Sequence, residues 1–207
     1  MFMQLGTRRT KQEVVTEFRC AEILEAARKI FAKKGFADAT MDEIAAASGL
    51  AKGTLYLYFL SKRDLYLRTL QQGVTELLDR VTANIQEASG VRAKLRVMIA
   101  TRVKYAEEDR DFFKIYLTEF VNLTHPASIN KELRDVRFKL AQGIEQILRD
   151  GVESREIQPL DVAAAAFTIQ DMISSLTTRR ILGWSKKDVE EDIEILCNFI
   201  WNGIGCS

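Results

Sequence analysis

Apolar residues recur at spacings of three and four through most of the chain, the period of helices with one face turned to a core. Ile23, Ala27, Ile30 and Phe31 form the first such stripe and predict a helix over 11–34 that stops at Gly35, its C-terminal cap. Thr40 and Glu43 make a Thr-x-x-Glu capping box, so a short second helix is predicted over 41–48. After a turn at Gly49, Leu50 and Ala51, a third helix over 52–59 buries Leu55 and Phe59, four apart on one face. Gly53, Thr54, Tyr56 and Leu57 lie on the opposite arc. Ser61 and Asp64 repeat the box and open a long helix striped by Leu70, Val74, Leu77, Leu78, Val81 and Ile85, broken at Ser89 and Gly90.

Stripes at Leu95, Met98, Ile99 and Val103, and at Phe113, Tyr116, Leu117 and Phe120, predict two further helices before His125 and Pro126 interrupt the chain. Leu133, Val136, Leu140, Ile144, Ile147 and Leu148 mark another, closed by Gly151. Pro159 falls in the expected first turn of a helix carrying residues 163–167, Met172, Ile173 and Leu176 and ending near Gly183. A third box, Ser185 to Asp188, is expected to open a last helix with Val189, Ile193, Leu196 and Ile200. The whole reads as all-α, about nine helices and no strand.

Composition agrees with this and narrows the chemistry. Only two prolines and eleven glycines interrupt 207 residues, of which 47% are hydrophobic and 29% charged. Three cysteines, Cys20, Cys197 and Cys206, are an odd and dispersed set, which points to a reducing compartment and no disulfide framework. No run approaches the ~18 apolar residues of a membrane span, and residues 1–10 lack the apolar stretch of a signal peptide, so a cytoplasmic location and no membrane contact are expected. One histidine and scattered cysteines give no metal spacing. With no glycine-rich phosphate loop or nucleophile elbow either, the expectation is a chain that is no enzyme and has neither metal nor cofactor.

The net charge is only +1, but it is unevenly placed. Residues 1–64 carry eleven Lys and Arg against eight acids, net +3, and the remainder is −2. Two domains are expected, 1–64 and 65–207.

Two short helices joined by a tight glycine turn, one face apolar and the other carrying Thr, Tyr and Lys, match the helix-turn-helix arrangement for reading duplex DNA. Lys52 and Gly53 begin the second helix, where glycine lets backbone come close to a ligand. Thr54 donates to a base edge or phosphate, Tyr56 and Tyr58 have hydroxyls suited to phosphates, and Leu57 suits a thymine methyl. Lys62 brings a cation to the start of the next helix. The plainer alternatives are packing for the two tyrosines and solvation for Lys62. Arg8, Arg9 and Lys11 read as a solvated tail, with a minor-groove arm as the alternative.

The segment TMDEIAAASGLAKGTLYLYFLSKRDL, from Thr40 to Leu65, resembles the DNA-binding signature of the TetR family of bacterial transcriptional repressors, and ILEAARKIFAKKGF, from Ile23 to Phe36, is similar to that family's first helix. The resemblance covers about residues 18–70. It implies an N-terminal three-helix DNA-binding domain, a C-terminal helical domain for effector binding and dimerisation, and a homodimer on an inverted-repeat operator, released by a small ligand. It places phosphate contacts on Thr40, Tyr56, Tyr58 and Lys62, and base contacts near Lys52, Gly53, Thr54 and Leu57. Asp42 departs from the pattern, standing where some relatives have a basic base-reading residue. The resemblance also favours a dimer interface of four helices, the last two from each copy, where the run 163–166 allows close approach.

For the effector, the aromatic middle helices suggest a hydrophobic or amphipathic compound held by Phe113, Tyr116, Phe120, His125, Phe167 and Met172, with Tyr116 and His125 as polar groups. The alternative is a DNA-binding dimer whose C-terminal domain binds a protein partner or no ligand. Effector identity, operator sequence, regulated genes and the sign of regulation are not readable from these residues.

Overall fold

The computed structural model describes residues 10–121 and 127–205, with side chains for 10–118 and 138–205. His125, Arg8 and Arg9 lie outside the described residues, as does the side chain of Phe120. Nine helices are present among the described residues: α1 (Lys11–Asp38), α2 (Met41–Ala47), α3 (Lys52–Tyr58), α4 (Lys62–Gln86), α5 (Val91–Glu108), α6 (Arg110–Val121), α7 (Ala127–Glu153), α8 (Val162–Ile181) and α9 (Val189–Ile204). The one extended pairing among them is an isolated antiparallel bridge between Ile157 and Gly205. None of these helices is long and apolar enough to cross a membrane.

Helix boundaries follow local hydrogen bonding. Thr10 and Glu13 form a capping box at α1, a start signal that periodicity alone does not mark. The Thr40–Glu43 box opens α2 as expected, with both reciprocal bonds made. At α4, Ser61 Oγ accepts the Asp64 N–H at 3.1 Å, while the Asp64 carboxylate reaches back one residue further to the Leu60 N–H at 3.0 Å. Gly35 adopts φ +76° and breaks the helical path of α1, but three more residues coil beyond it before the helix ends.

Three expected boundaries are corrected. Asp188, not Ser185, caps α9, accepting the Glu190 N–H. Ser185 is drawn away because its hydroxyl donates to Asp192 Oδ2 at 2.6 Å. Asp161 caps α8, so Pro159 precedes that helix instead of sitting in its first turn. Gly151 lies inside α7, where a Cβ would press on Ile157 and Val91 at 2.7 and 2.9 Å; it is a packing glycine, not a cap.

The chain divides into two compact units, 1–70 and 71–207. In the first, Ile23, Ala27 and Phe31 of α1 are buried with Ile44, Leu55, Phe59 and Leu65. The break at Gly35 returns Phe36 to the Tyr66 ring, centroids 4.9 Å apart, while Phe31 meets Tyr66 edge-on at 4.8 Å. In the second, α7 packs on α8, and α5 on both α8 and α9. Leu95, Ile99 and Val103 of α5, Ile144 and Leu148 of α7, Ile173 of α8 and Ile193 of α9 are buried there.

Arg180 ties this second core at one end. Only 13% of its side chain is exposed, and it bonds Glu107 of α5 at 2.8 Å and Asp192 of α9 at 2.5 Å. Gly73 of α4 makes room at the other side, because a Cβ there would fall inside the buried Phe112 ring. Gly73→Ala is therefore expected to destabilise the chain by about 1–3 kcal/mol through overpacking, read as a fall of several degrees in the midpoint of thermal unfolding. An unchanged midpoint would mean that Phe112 has somewhere to go.

Candidate DNA interface and effector cavity

α3 is short, and it is held from one side. Leu55 and, just past its end, Phe59 are fully buried. Gly49, at φ +68°, makes the turn that precedes it, with the Leu50 N–H donating to Ala45 O at 2.8 Å. The other arc is open: Lys52, Gly53, Tyr56 and Leu57 are exposed, and Thr54 and Tyr58 are half-buried. Leu57 is 83% exposed, and Leu60, which sequence reasoning misses because it falls in the next turn, is 85% exposed. A Cβ on Gly53 would meet nothing within 4 Å, so the chain's own packing does not require glycine there. α3 starts at Ala51 without a side-chain cap, which leaves its first amides to solvent or a ligand.

The polar residues around this face are already engaged with one another. The Thr40 hydroxyl accepts the Glu43 N–H at 3.2 Å and donates to the Glu43 carboxylate at 3.1 Å. Lys34 pairs with Glu43 and holds its carboxyl below the usual range. Lys52 of α3 pairs with Asp42 of α2 at 3.0 Å, and that hydrogen bond and charge raise the lysine pKa. Asp42, the departure from the family pattern, thus faces the predicted contact Lys52.

Lys62 has a structural role that its sequence position does not reveal. Its ammonium donates to Ala37 O at 3.0 Å and Ala39 O at 2.9 Å and stands 4.8 Å from the Phe36 ring centre. Two of its three N–H bonds therefore hold the α1–α2 link, and one is left for another acceptor.

In the second unit, a cavity of about 20 Å³ lies among α4, α5, α6, α7 and α8. That is room for little more than one water molecule. Val74, Leu77, Phe112, Phe113 and Leu140 give it apolar walls, and Tyr116 lines it too. The expected residues Phe113 and Tyr116 are thus brought together. Phe167 and Met172 are not among the lining residues: Phe167 is exposed against Phe138, ring centres 5.9 Å apart, and Met172 is half-buried elsewhere on α8.

Arg102 also lines the cavity, and sequence reasoning does not find it. It is 5% exposed and donates to Gln170 Oε1 at 2.6 Å. Burial pushes its pKa down to about 10, still far above neutrality, so it remains a cation. Its place three and four residues after Ile99 and Met98 puts a charge on the apolar stripe of α5, and that is the available signal.

Two substitutions separate folding from ligand approach at the α3 face. Gly53→Ala is expected to keep or raise stability, by up to about 1 kcal/mol of helix propensity, while weakening duplex binding in a fluorescence anisotropy titration. Equal affinity would show that nothing comes close to this backbone. Lys62→Ala is expected to lower the unfolding midpoint, because nothing then bonds the carbonyls of Ala37 and Ala39. It is also expected to flatten the logarithmic salt dependence of duplex binding by about one unit for each phosphate that Lys62 neutralises. An unchanged slope with a lowered midpoint assigns Lys62 to the α1–α2 link alone.

Comparison with known proteins places these features. Residues 23–69 match the model for bacterial regulatory proteins of the tetR family, and residues 88–178 match a tetracyclin repressor-like C-terminal domain. The fatty acid metabolism regulator protein of Bacillus subtilis is 26% identical over 184 residues, covering 86% of this chain and 90% of the relative. Two solved structures share the fold. The regulator FadR from Bacillus subtilis, in complex with stearoyl-CoA, superposes with a TM-score of 0.78 at 22% identity, over 87% of this chain and 96% of that one. A transcriptional regulator from Saccharomonospora viridis, in complex with choline, gives 0.82 at 23% identity, over 93% and 100%. With both of its parts matched in order along the chain, this protein belongs to the TetR family and is a helix-turn-helix DNA-binding transcriptional regulator.

Proposed function

We propose that the chain acts as a homodimer that represses transcription from an inverted-repeat operator and leaves the DNA when an amphipathic effector enters the cavity of its second unit. The observation that carries the effector part is the cavity itself: apolar walls from α4, α6 and α7 around a buried cation. At its present volume the site is closed, so an effector has to turn aside rings such as Phe112 and Phe113. Binding then favours an expanded arrangement over the one described, and only that difference in affinity shifts the population. α4 carries Lys62 at its start and Val74 and Leu77 of the cavity wall further along, which makes it the natural carrier of the change.

The proposed contacts on DNA are those of the exposed α3 arc, with Lys52, Gly53, Thr54 and Leu57 toward bases and Thr40, Tyr56, Tyr58 and Lys62 toward phosphates. The proposed interface between copies is the outer face of α8 and α9. Phe167, Ile195 and Phe199 are 38%, 51% and 67% exposed there, more apolar surface than a lone chain has reason to present. An isologous pairing covers it in both copies at once.

As effector class, an acyl compound fits better than a quaternary ammonium, because Arg102 puts positive charge inside the cavity. The fatty-acid regulator among the relatives supports the same choice. The small volume favours a second reading, a dimer whose C-terminal unit takes no small molecule.

The test is selection from random duplexes by the purified chain. Recovered sequences are expected to share an inverted repeat with half-site centres about 34 Å apart, to be released from the protein on adding decanoate or decanoyl-CoA, and to silence a promoter that contains them. Failure of selection overturns the DNA reading, and retention in every acyl compound favours the second one. Ile195→Glu with Phe199→Glu is expected to yield monomers in sedimentation and to weaken operator binding by about 100-fold or more, as a half-site alone lacks the second set of contacts. A variant that stays dimeric excludes this face as the interface.

A further inference from the structure

We propose that Arg102 is the recognition group of the effector site and that the effector ends in a carboxylate. The acid group would pair with the guanidinium while its chain lies against Val74, Leu77, Phe112 and Leu140. This rests on the effector reading above.

The argument begins with an unbalanced charge. Arg102 is as buried as a core residue, and among the described residues it has an amide oxygen, that of Gln170, as its acceptor and no carboxylate beside it. A guanidinium carries five N–H donors, and one amide oxygen serves few of them. Buried charges in proteins are normally paired, and Arg180, also shielded, is an example, since it meets both Glu107 and Asp192. Arg180 is thus neutralised by two carboxylates, whereas the acceptor beside Arg102 is an uncharged amide.

The surroundings fix the amide partner of Arg102 without supplying a carboxylate. Gln170 Nε2 donates to Ser174 Oγ at 3.3 Å, which turns its oxygen toward Arg102. Ser174 and Thr177, the hydroxyls on the cavity wall from α8, donate back to Gln170 O at 3.0 Å and Ile173 O at 2.8 Å, so their protons are committed. The cavity thus offers a ligand a cationic fork set in an apolar wall. A carboxylate matches that fork in charge and in bidentate shape. A neutral ester or thioester oxygen leaves the charge uncompensated, and a quaternary ammonium adds to it.

Three probes with one ten-carbon chain test this by calorimetry on the full-length chain: decanoate, methyl decanoate and decyltrimethylammonium. Decanoate is expected to bind at least about tenfold more tightly than the ester, and the ammonium to show no binding. Arg102→Met is expected to lose about 10- to 100-fold in decanoate affinity, the range for a charge-assisted hydrogen bond, with the ester unaffected. Arg102→Lys, which keeps the charge without the fork, is expected to retain part of the preference. Because a buried unpaired cation is itself unfavourable, Arg102→Met is expected to unfold at the same or a higher temperature than the parent. Equal binding of acid and ester by the parent overturns the proposal, as does a variant that loses both alike and melts more than about 10 °C lower, which makes Arg102 a structural post. Decanoyl-CoA binding more tightly than decanoate to both parent and Arg102→Met also overturns it. In those cases an ester or thioester that still displaces DNA leaves the effector reading standing, whereas silence from every probe, the thioester included, removes both.

Discussion

A seven-residue helix has almost no stability of its own, since nucleation absorbs what so few hydrogen bonds return. α3 exists because Leu55 and Phe59 are sunk among Ile23, Ile44 and Leu65 and because Gly49 takes a left-handed turn that aims it. That single-sided anchorage leaves the remaining arc outside the core, where Lys52 pairs with Asp42 at the surface. Lys52, Gly53, Tyr56 and Leu57 stand on it with nothing in the chain's own core asking for them, and an open arc of this kind is what a major groove requires. The rest of the first unit serves the same end. Gly35 breaks α1, Phe36 returns to Tyr66, and Lys62 holds the carbonyls of the link between α1 and α2.

The second unit is organised around two arginines that answer the same electrostatic problem differently. Arg180 is compensated twice over and joins the ends of α5, α8 and α9; removing it would loosen a corner. Arg102 has an amide for a partner and sits where the packing of Phe112, Phe113 and Tyr116 leaves a gap. A buried charge in a core that only needs packing can often be replaced by apolar residues of similar volume with no loss of stability. The charge at Arg102 makes more sense as part of a site than as part of a scaffold.

Much of this is legible in the residues, and the boundary of legibility is physical. Capping boxes, stripes of period 3.6 and the glycine turn are local, so the order of the helices and the two faces of α3 can be read directly. Phe113 and Tyr116 are reachable because aromatics cluster on α6. The features that escape are decided by partners distant in sequence. Ser185 and Asp188 have box spacing, yet Asp192 takes the serine hydroxyl once Arg180 has drawn α9 into place. Gly151 resembles a stop signal until Ile157 and Val91 are seen against it. Lys62 looks like a surface cation until two carbonyls from residues more than twenty positions earlier are found in front of it.

The central claim is that α3 is presented twice to successive grooves of one duplex. Hydroxyl-radical footprinting of the chain on a selected duplex tests it most directly. The account predicts two protected patches related by a two-fold axis, with centres about one helical turn apart. One continuous protected stretch without that symmetry, or uniform cleavage along the fragment, would contradict it.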